Sequence, residues 1–317
     1  MKKILIIGRV PPPVGGVTIH VQRLISFLKQ RDISFMFFKL NFLNLFLLHF
    51  IIFKYPIIHL HSSNIYVMKW ISMIAKVLSK KLIITFHGDV NRYNSKKLKI
   101  IKKIIKKTTV PILLNHGSFD IAIKINKNSR LISAFIPPFN EKKLQTELMF
   151  QIGILKKKHD FIYATNAYSL TYDKHNIEIY GILDLINYFK SNQNIALVIS
   201  DPSSKYKEYL KVNNINLSQN VLLINIPHSF YEILKNVDGS IRNTSTDGDS
   251  LSVRESIFLH KLTLATNAVS RPNGTITYTR GCYSFSSFKK LMNESKSIRP
   301  KIKASNYKSI LNIYNNI

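Results

Sequence analysis

The chain has 317 residues, 46 of them Lys or Arg against 17 Asp or Glu, and a formal charge of +29 with histidine neutral. Hydrophobic residues make up 45% and the mean hydropathy is near zero, which excludes a disordered polycation and a polytopic membrane protein alike. The length suits about two domains, and one cysteine, Cys282, leaves no internal disulfide, as expected of a reducing cytoplasm.

Met1-Lys2-Lys3 before Ile4-Leu5-Ile6-Ile7 imitates a secretory leader, but the apolar run ends at Gly8-Arg9, short of the roughly 7–15 residues such a segment needs. It reads as a buried strand. Residues 17–29 carry apolar positions at helical spacing. Residues 42–53 are the most apolar stretch, yet 12 residues interrupted by Asn44 and His49 fall short of the ~20 that cross a bilayer. A buried or interfacial helix is expected there. Further strands are predicted at 57–61, 82–86, 110–115 and 131–136, with helical segments between them.

A second series starts near residue 160, with strands at 160–164, 195–200, 221–224, 239–241 and 262–265 and helices at 181–189, 206–212 and 253–259. Repeated β-then-α units imply parallel sheets covered by helices on both faces. Pro137-Pro138-Phe139 and the polar run after it mark a linker. The expected organisation is an N-terminal Rossmann-like domain over 1–148, a C-terminal one over 149–302, and a helix in 303–317 packing back on the first. Ligand is expected at the carboxyl ends of the strands.

The positive charge is uneven: residues 1–150 hold 25 basic and 5 acidic side chains, and 151–317 hold 21 and 12. An AT-rich coding bias would explain abundant lysine but not scarce acids. The densest run is 96–107, where Leu98, Ile101, Ile104 and Ile105 share one helical face and Lys99, Lys102, Lys103, Lys106 and Lys107 surround it. Either the stripe packs on its own domain with the lysines in solvent, or the helix lies on an anionic bilayer; both hold if the lysines meet lipid while the stripe stays inside.

Three loops carry the groups suited to chemistry. After the first strand comes Gly8-Arg9-Val10-Pro11-Pro12-Pro13-Val14-Gly15-Gly16, whose spacing is wrong for a dinucleotide fingerprint but delivers Gly15-Gly16 to a helix start, where bare amides approach a phosphate or sugar. His87 stands just past the strand 82–86, and His59 and His61 end the strand before it. The third loop, Arg242-Asn243-Thr244-Ser245-Thr246-Asp247-Gly248-Asp249-Ser250, runs into a helix carrying Arg254 and Glu255. Its first amides suit a diphosphate, while Asp249 or Ser250 would equally serve as an ordinary cap with Glu255 on the surface.

Asp247-x7-Glu255, then Leu262-Thr263-Leu264-Ala265-Thr266-Asn267 and Pro272, resembles the E-x7-E region of family-4 glycosyltransferases of the GT-B fold. The Pro-Pro-x-Gly-Gly-Val loop, Ile58-His59-Leu60-His61 and Thr85-Phe86-His87-Gly88 are similar to that family's other landmarks, in order, so the resemblance spans most of 1–275. It implies an α/β GT-B architecture, two Rossmann-like domains facing across a cleft, and a retaining, metal-independent glycosyl transfer with no cofactor beyond a UDP- or GDP-linked sugar donor.

By the same resemblance His87 and Asp247 are catalytic positions, His87 against the donor sugar and Asp247 on its hydroxyls. Gly15, Gly16, Asn166, Arg242, Asp249, Ser250, Leu251, Arg254 and Glu255 are donor-binding, with Glu255 on the ribose. The acceptor implied is a lipid-diphosphate-linked saccharide at the cytoplasmic membrane face during bacterial surface polysaccharide (O-antigen or capsule) assembly.

The chain departs from the family in two ways. Asp247 is one methylene shorter than the usual glutamate, and the expected diphosphate-binding Arg and Lys are replaced by the Ala164-Thr165-Asn166-Ala167-Tyr168 loop and by Tyr180-Gly181. Arg242, Arg254 and Arg271 are the cations left nearby. The competing readings are a GT-B sugar-nucleotide epimerase, an inactive GT-B protein, and a basic nucleic-acid- or membrane-binding protein, although no zinc-finger or RNP-type pattern is present.

Overall fold

A computed structural model of the chain describes residues 3–41, 44–139, 141–173, 175–282 and 306–317. The described residues form two compact units, 1–139 with 303–317 and 140–302.

In the first unit, short apolar runs such as Ile4–Gly8 and Ile57–Ser62 have every side chain buried, as strands covered on both faces must. The chain runs β1 (Ile4–Gly8), α1 (Gly16–Gln30), β2 (Phe35–Lys39), α2 (Leu45–Phe53), β3 (Ile57–Ser62), α3 (Ile65–Val77), β4 (Lys81–Phe86), α4 (Ser95–Lys107), β5 (Val110–Leu113), α5 (His116–Ile125) and β6 (Arg130–Leu131). The six strands are parallel in the order β2-β1-β3-β4-β5-β6. The order reverses between β1 and β3, and the carboxyl ends at that switch point are where such sheets bind ligands.

Leu48, Ile52, Met68, Ile71, Ala75, Ile101, Ile104 and Ile105 from α2, α3 and α4 join one core cluster with the sheet. The α4 stripe therefore packs on its own unit, and its seven lysines, Lys99, Lys102, Lys103, Lys106 and Lys107 among them, are exposed. α2 is apolar all round and cannot bury every face. Leu48 and Ile52 point inward, while Phe46, Leu47, Phe50 and Phe53 are each more than half exposed. No helix among the described residues is long and apolar enough to cross a membrane. The C-terminal helix Asn306–Asn316 belongs to this unit, burying Ile310 and Tyr314.

The second unit runs α6 (Thr146–Lys158), β7 (Phe161–Asn166), α7 (Ile182–Lys190), β8 (Ile195–Ser200), α8 (Lys205–Val212), β9 (Val221–Ile224), α9 (Phe230–Lys235), β10 (Gly239–Arg242), α10 (Leu251–Phe258), β11 (Leu262–Thr266) and β12 (Ile276–Tyr278). Its parallel strands follow the order β12-β11-β10-β7-β8-β9. This is the doubly wound dinucleotide-type order, with its switch point between β7 and β10.

The division between units falls at 139/140 rather than 148/149, because Leu144 and Leu148 pack into the second unit's core with Ile152, Ile162 and Leu234. The strand expected at 131–136 shrinks to Arg130–Leu131, and the strand expected to reach 115 stops at Leu113, since Asn115 caps α5 by accepting from the Ser118 amide. Gly181, which opens α7, has φ +61 and a place where a Cβ would stand 2.4 Å from Asn243. Only glycine fits.

Candidate functional site

The switch point of the second unit is occupied by a clamp of ions. Arg242, the last residue of β10, donates from Nη1 to the backbone and side-chain oxygens of Asn166, the last residue of β7, at 3.0 and 3.3 Å. Its Nε and Nη2 donate to the Asp247 carboxylate at 3.0 and 3.3 Å, and the Tyr180 ring lies 5.1 Å below the guanidinium. Arg271 donates to the same carboxylate at 2.9 Å and also holds the Thr266 carbonyl and the Thr244 hydroxyl.

Burial pushes the Asp247 carboxyl upward, but Arg242 and Arg271 outweigh it and hold the group down at about 2. Two cations on one anion leave a single net positive charge at this strand end. Asp247 is thus anchored to the scaffold, and its shorter side chain keeps the 243–250 loop close to Arg242.

Asp249, Ser250 and Leu251 carry the chain into α10. Ser250 is the cap, its hydroxyl accepting from the Val253 amide, and the amides of Leu251 and Ser252 have no acceptor within the helix, as in any first turn. Arg254 does not point to solvent: its Nε donates to the Asp249 carboxylate. Glu255, one turn in, is 4% exposed, against the reading that places it on the surface.

Sequence reasoning missed Glu178, which stands where the α7 amides open. Its carboxylate accepts from the Ile182 and Leu183 amides at 2.8 and 3.2 Å and from the Tyr206 hydroxyl at 2.6 Å, while Arg280 donates to its carbonyl. The start of α7 is therefore filled by the protein's own anion, whereas that of α10 is not. A glutamate four residues ahead of a glycine-led helix was the available signal.

In the first unit, Gly15 caps α1 and Gly16 begins it. The Gly15 amide donates to the Thr18 hydroxyl, which in turn donates to the Pro13 carbonyl, and a Cβ on Gly16 would meet nothing within 4 Å. The loop is thus held by its own bonds with open space before Gly16. His87 follows β4 and joins a cluster that the sequence did not reveal. His61 Nδ1 and His87 Nε2 share a proton at 3.2 Å, and His20, from α1, packs within 5.3 Å of both rings. Gly8 makes room for His61, since a Cβ there would stand 3.3 Å from the His61 Cβ. Burial drives His61 and His87 well below the ordinary imidazole range. They are neutral at physiological pH.

No protein-family model and no curated protein matches the sequence. Solved structures do match. Anabaena HepE in complex with UDP-glucose is similar over 98% of this chain and 94% of its own, at 12% identity and a TM-score of 0.67. Sucrose-phosphate synthase from Thermosynechococcus elongatus matches over the same shares at 12% identity and 0.65. The lipopolysaccharide outer core galactosyltransferase WaaB matches over 99% and 100% at 14% identity and 0.56. The fold is GT-B, built of two Rossmann-like units.

The clamp gives a testable pH dependence. A carboxyl lowered from 3.8 to about 2 contributes stability that is complete above the unfolded value and is lost as pH falls through the folded one, about 2 kcal/mol in all. Urea unfolding from pH 5 to pH 2 should show that loss in the native chain but not in Asp247→Asn. At pH 7 Asp247→Asn should be about 3 kcal/mol less stable, because it strands two guanidiniums around a neutral amide.

Proposed function

We propose that the protein is a nucleotide-sugar glycosyltransferase whose second unit binds the donor at the β10–α10 junction. The observation that carries this reading is the junction itself: open first-turn amides, the buried Glu255 one turn on, and the Arg242–Arg271 clamp, gathered at the carboxyl end of a switch-point strand. A diphosphate fits the amides, and Glu255 fits a pair of ribose hydroxyls. Arg242 and Arg271 supply the net positive charge that replaces the missing diphosphate cations. The reading is supported by similar folds that bind UDP-glucose, as HepE does.

The transfer breaks the bond from the sugar's anomeric carbon to the phosphate oxygen, and the electron pair leaves on the diphosphate. The acceptor oxygen bonds the anomeric carbon, its proton passes to the departing phosphate, and the configuration is retained. Fixed amides and guanidiniums stabilise the charge developing on the leaving group. Asp247 holds the loop that carries the first-turn amides; by the family resemblance His87 is the position expected to offer a hydrogen bond to the sugar, and Gly15-Gly16 are those expected at the diphosphate. No metal or further cofactor takes part in this step.

The first unit binds the acceptor, which we take to be a lipid-diphosphate-linked saccharide of a bacterial surface polysaccharide, O-antigen or capsule. The likeness to WaaB, a lipopolysaccharide outer core galactosyltransferase, supports this. So does the layer of α2, α3 and α4, which exposes Phe46, Phe50 and Phe53 on α2 and a row of lysines on α4. Aromatic rings with lysines around them suit an anionic membrane surface. The protein then works as a peripheral protein on the cytoplasmic face.

Thermal unfolding in the presence of UDP- and GDP-sugars should rise for one donor series, since a ligand at about 100 times its Kd adds about 2.7 kcal/mol. Glu255→Ala and His87→Ala should each lower transfer by at least ~100-fold while keeping the native circular dichroism. Turnover at the native rate in either contradicts the assignment.

Vesicles of anionic phospholipid should sediment the protein. Replacing Lys102, Lys103, Lys106 and Lys107 by Gln should weaken that binding by ~100-fold or more, at about 1 kcal/mol per lysine, with transfer to a soluble acceptor unchanged. Unaltered sedimentation removes the membrane role.

A further inference from the structure

At the switch point of the first unit three imidazoles converge from three elements. His20 lies on α1, His61 near the end of β3 and His87 just past β4, and one ligand-capable nitrogen from each lies within 4.8 Å of the other two. His20 and His61 are each 1% exposed. The His20 Nδ1 is bonded to the Ala134 carbonyl, which can only accept, so Nδ1 carries the proton and Nε2 is a lone pair. His20 Nε2 is buried without a hydrogen-bond partner, in an interior where such orphans are rare. The 3.2 Å between His61 Nδ1 and His87 Nε2 is close to the ~3.4 Å edge of a tetrahedron of nitrogens placed about 2.0–2.1 Å from zinc.

We propose that His20, His61 and His87 form a binding site for a divalent transition-metal ion, with three imidazole ligands and a fourth position left to water. Three neutral nitrogens with no carboxylate or thiolate suit Zn2+, Co2+, Ni2+ or Cu2+ and discriminate against Mg2+ and Ca2+. Burial already holds the rings in the neutral form a metal requires: it brings His20 down to about 4 and sets His61 and His87 well below 6.5. The Ala134 carbonyl is the outer partner that fixes the His20 tautomer and ring orientation. His87, the least buried of the three, closes the remaining distance by turning its ring.

His59 stands outside the set although its ring centroid is 4.1 Å from that of His61. Its Nδ1 is bonded to the Tyr314 hydroxyl and its Nε2 to the Thr85 hydroxyl, 2.9 Å away, so both nitrogens are occupied. The site does not depend on the transferase reading, and its test reads the metal directly.

The full chain, stripped with chelator, is titrated with Co2+ and followed by visible absorption. The expected result is one equivalent bound with the intense bands of four-coordinate Co2+, abolished by one equivalent of Zn2+ and untouched by excess Mg2+. His20→Gln and His61→Gln should each weaken Co2+ binding by more than the roughly 10–100-fold that losing an outer partner costs, and His59→Gln should leave it unchanged. If the buried substitutions fail to fold, X-ray absorption of the unsubstituted zinc form still decides, by counting three imidazoles around the ion. Weak six-coordinate spectra, bands that survive His61→Gln in a folded protein, or fewer than three imidazoles on the ion would overturn the proposal.

Discussion

The second unit is organised around one buried carboxylate. Asp247 is largely buried, with about a tenth of its side chain exposed, and a lone charge there would be costly. It is stable because Arg242 at the end of β10 and Arg271 after β11 both reach it. Those bonds tie the polar 243–250 loop to two neighbouring strands, and with it the cap and first turn of α10. Arg242 extends the tie to β7 through Asn166, so the two strands that flank the switch point are linked by one guanidinium. The first turn of α10 is held in place by this arrangement together with the Ser250 hydroxyl, which accepts from the Val253 amide.

The two units meet the problem of polar groups at a strand end in different ways. In the second, opposite ions nearly balance: Arg242 and Arg271 against Asp247, Arg254 against Asp249. In the first, the groups are imidazoles that burial has made neutral, held by a carbonyl, by hydroxyls and by one another. Neither site uses the lysine excess. That charge sits on exposed faces, on α4 above all.

Much of the fold was legible in the sequence, for a physical reason. β1, β3 and β8 are buried on both faces and so read as unbroken apolar runs. α6 did not stand out because Met149, Phe150 and Ile154 break its amphipathic period by facing solvent, and with α6 went the true boundary between units. β2 and β12 sit at sheet edges, where burial imposes a weaker pattern. In the site, the spacing of Asp247 and Glu255 and the polar loop between them were visible in order. The partnership of Asp247 with Arg271, 24 residues on, was left open by the sequence, since an arginine in a loop carries no mark of where it points. The histidine cluster was least legible, because His20 reaches it from a helix, far from the strand ends where His61 and His87 lie in the sequence.

Amide hydrogen exchange read residue by residue, with and without UDP, addresses the central claim most directly, because it reports on the α10 first turn itself. The account predicts that UDP slows exchange at the amides of residues 249–252 and around Glu255, with no comparable slowing at the Glu178-filled start of α7. Exchange unaltered at 249–252 under saturating UDP, or protection confined to another part of the chain, would contradict it.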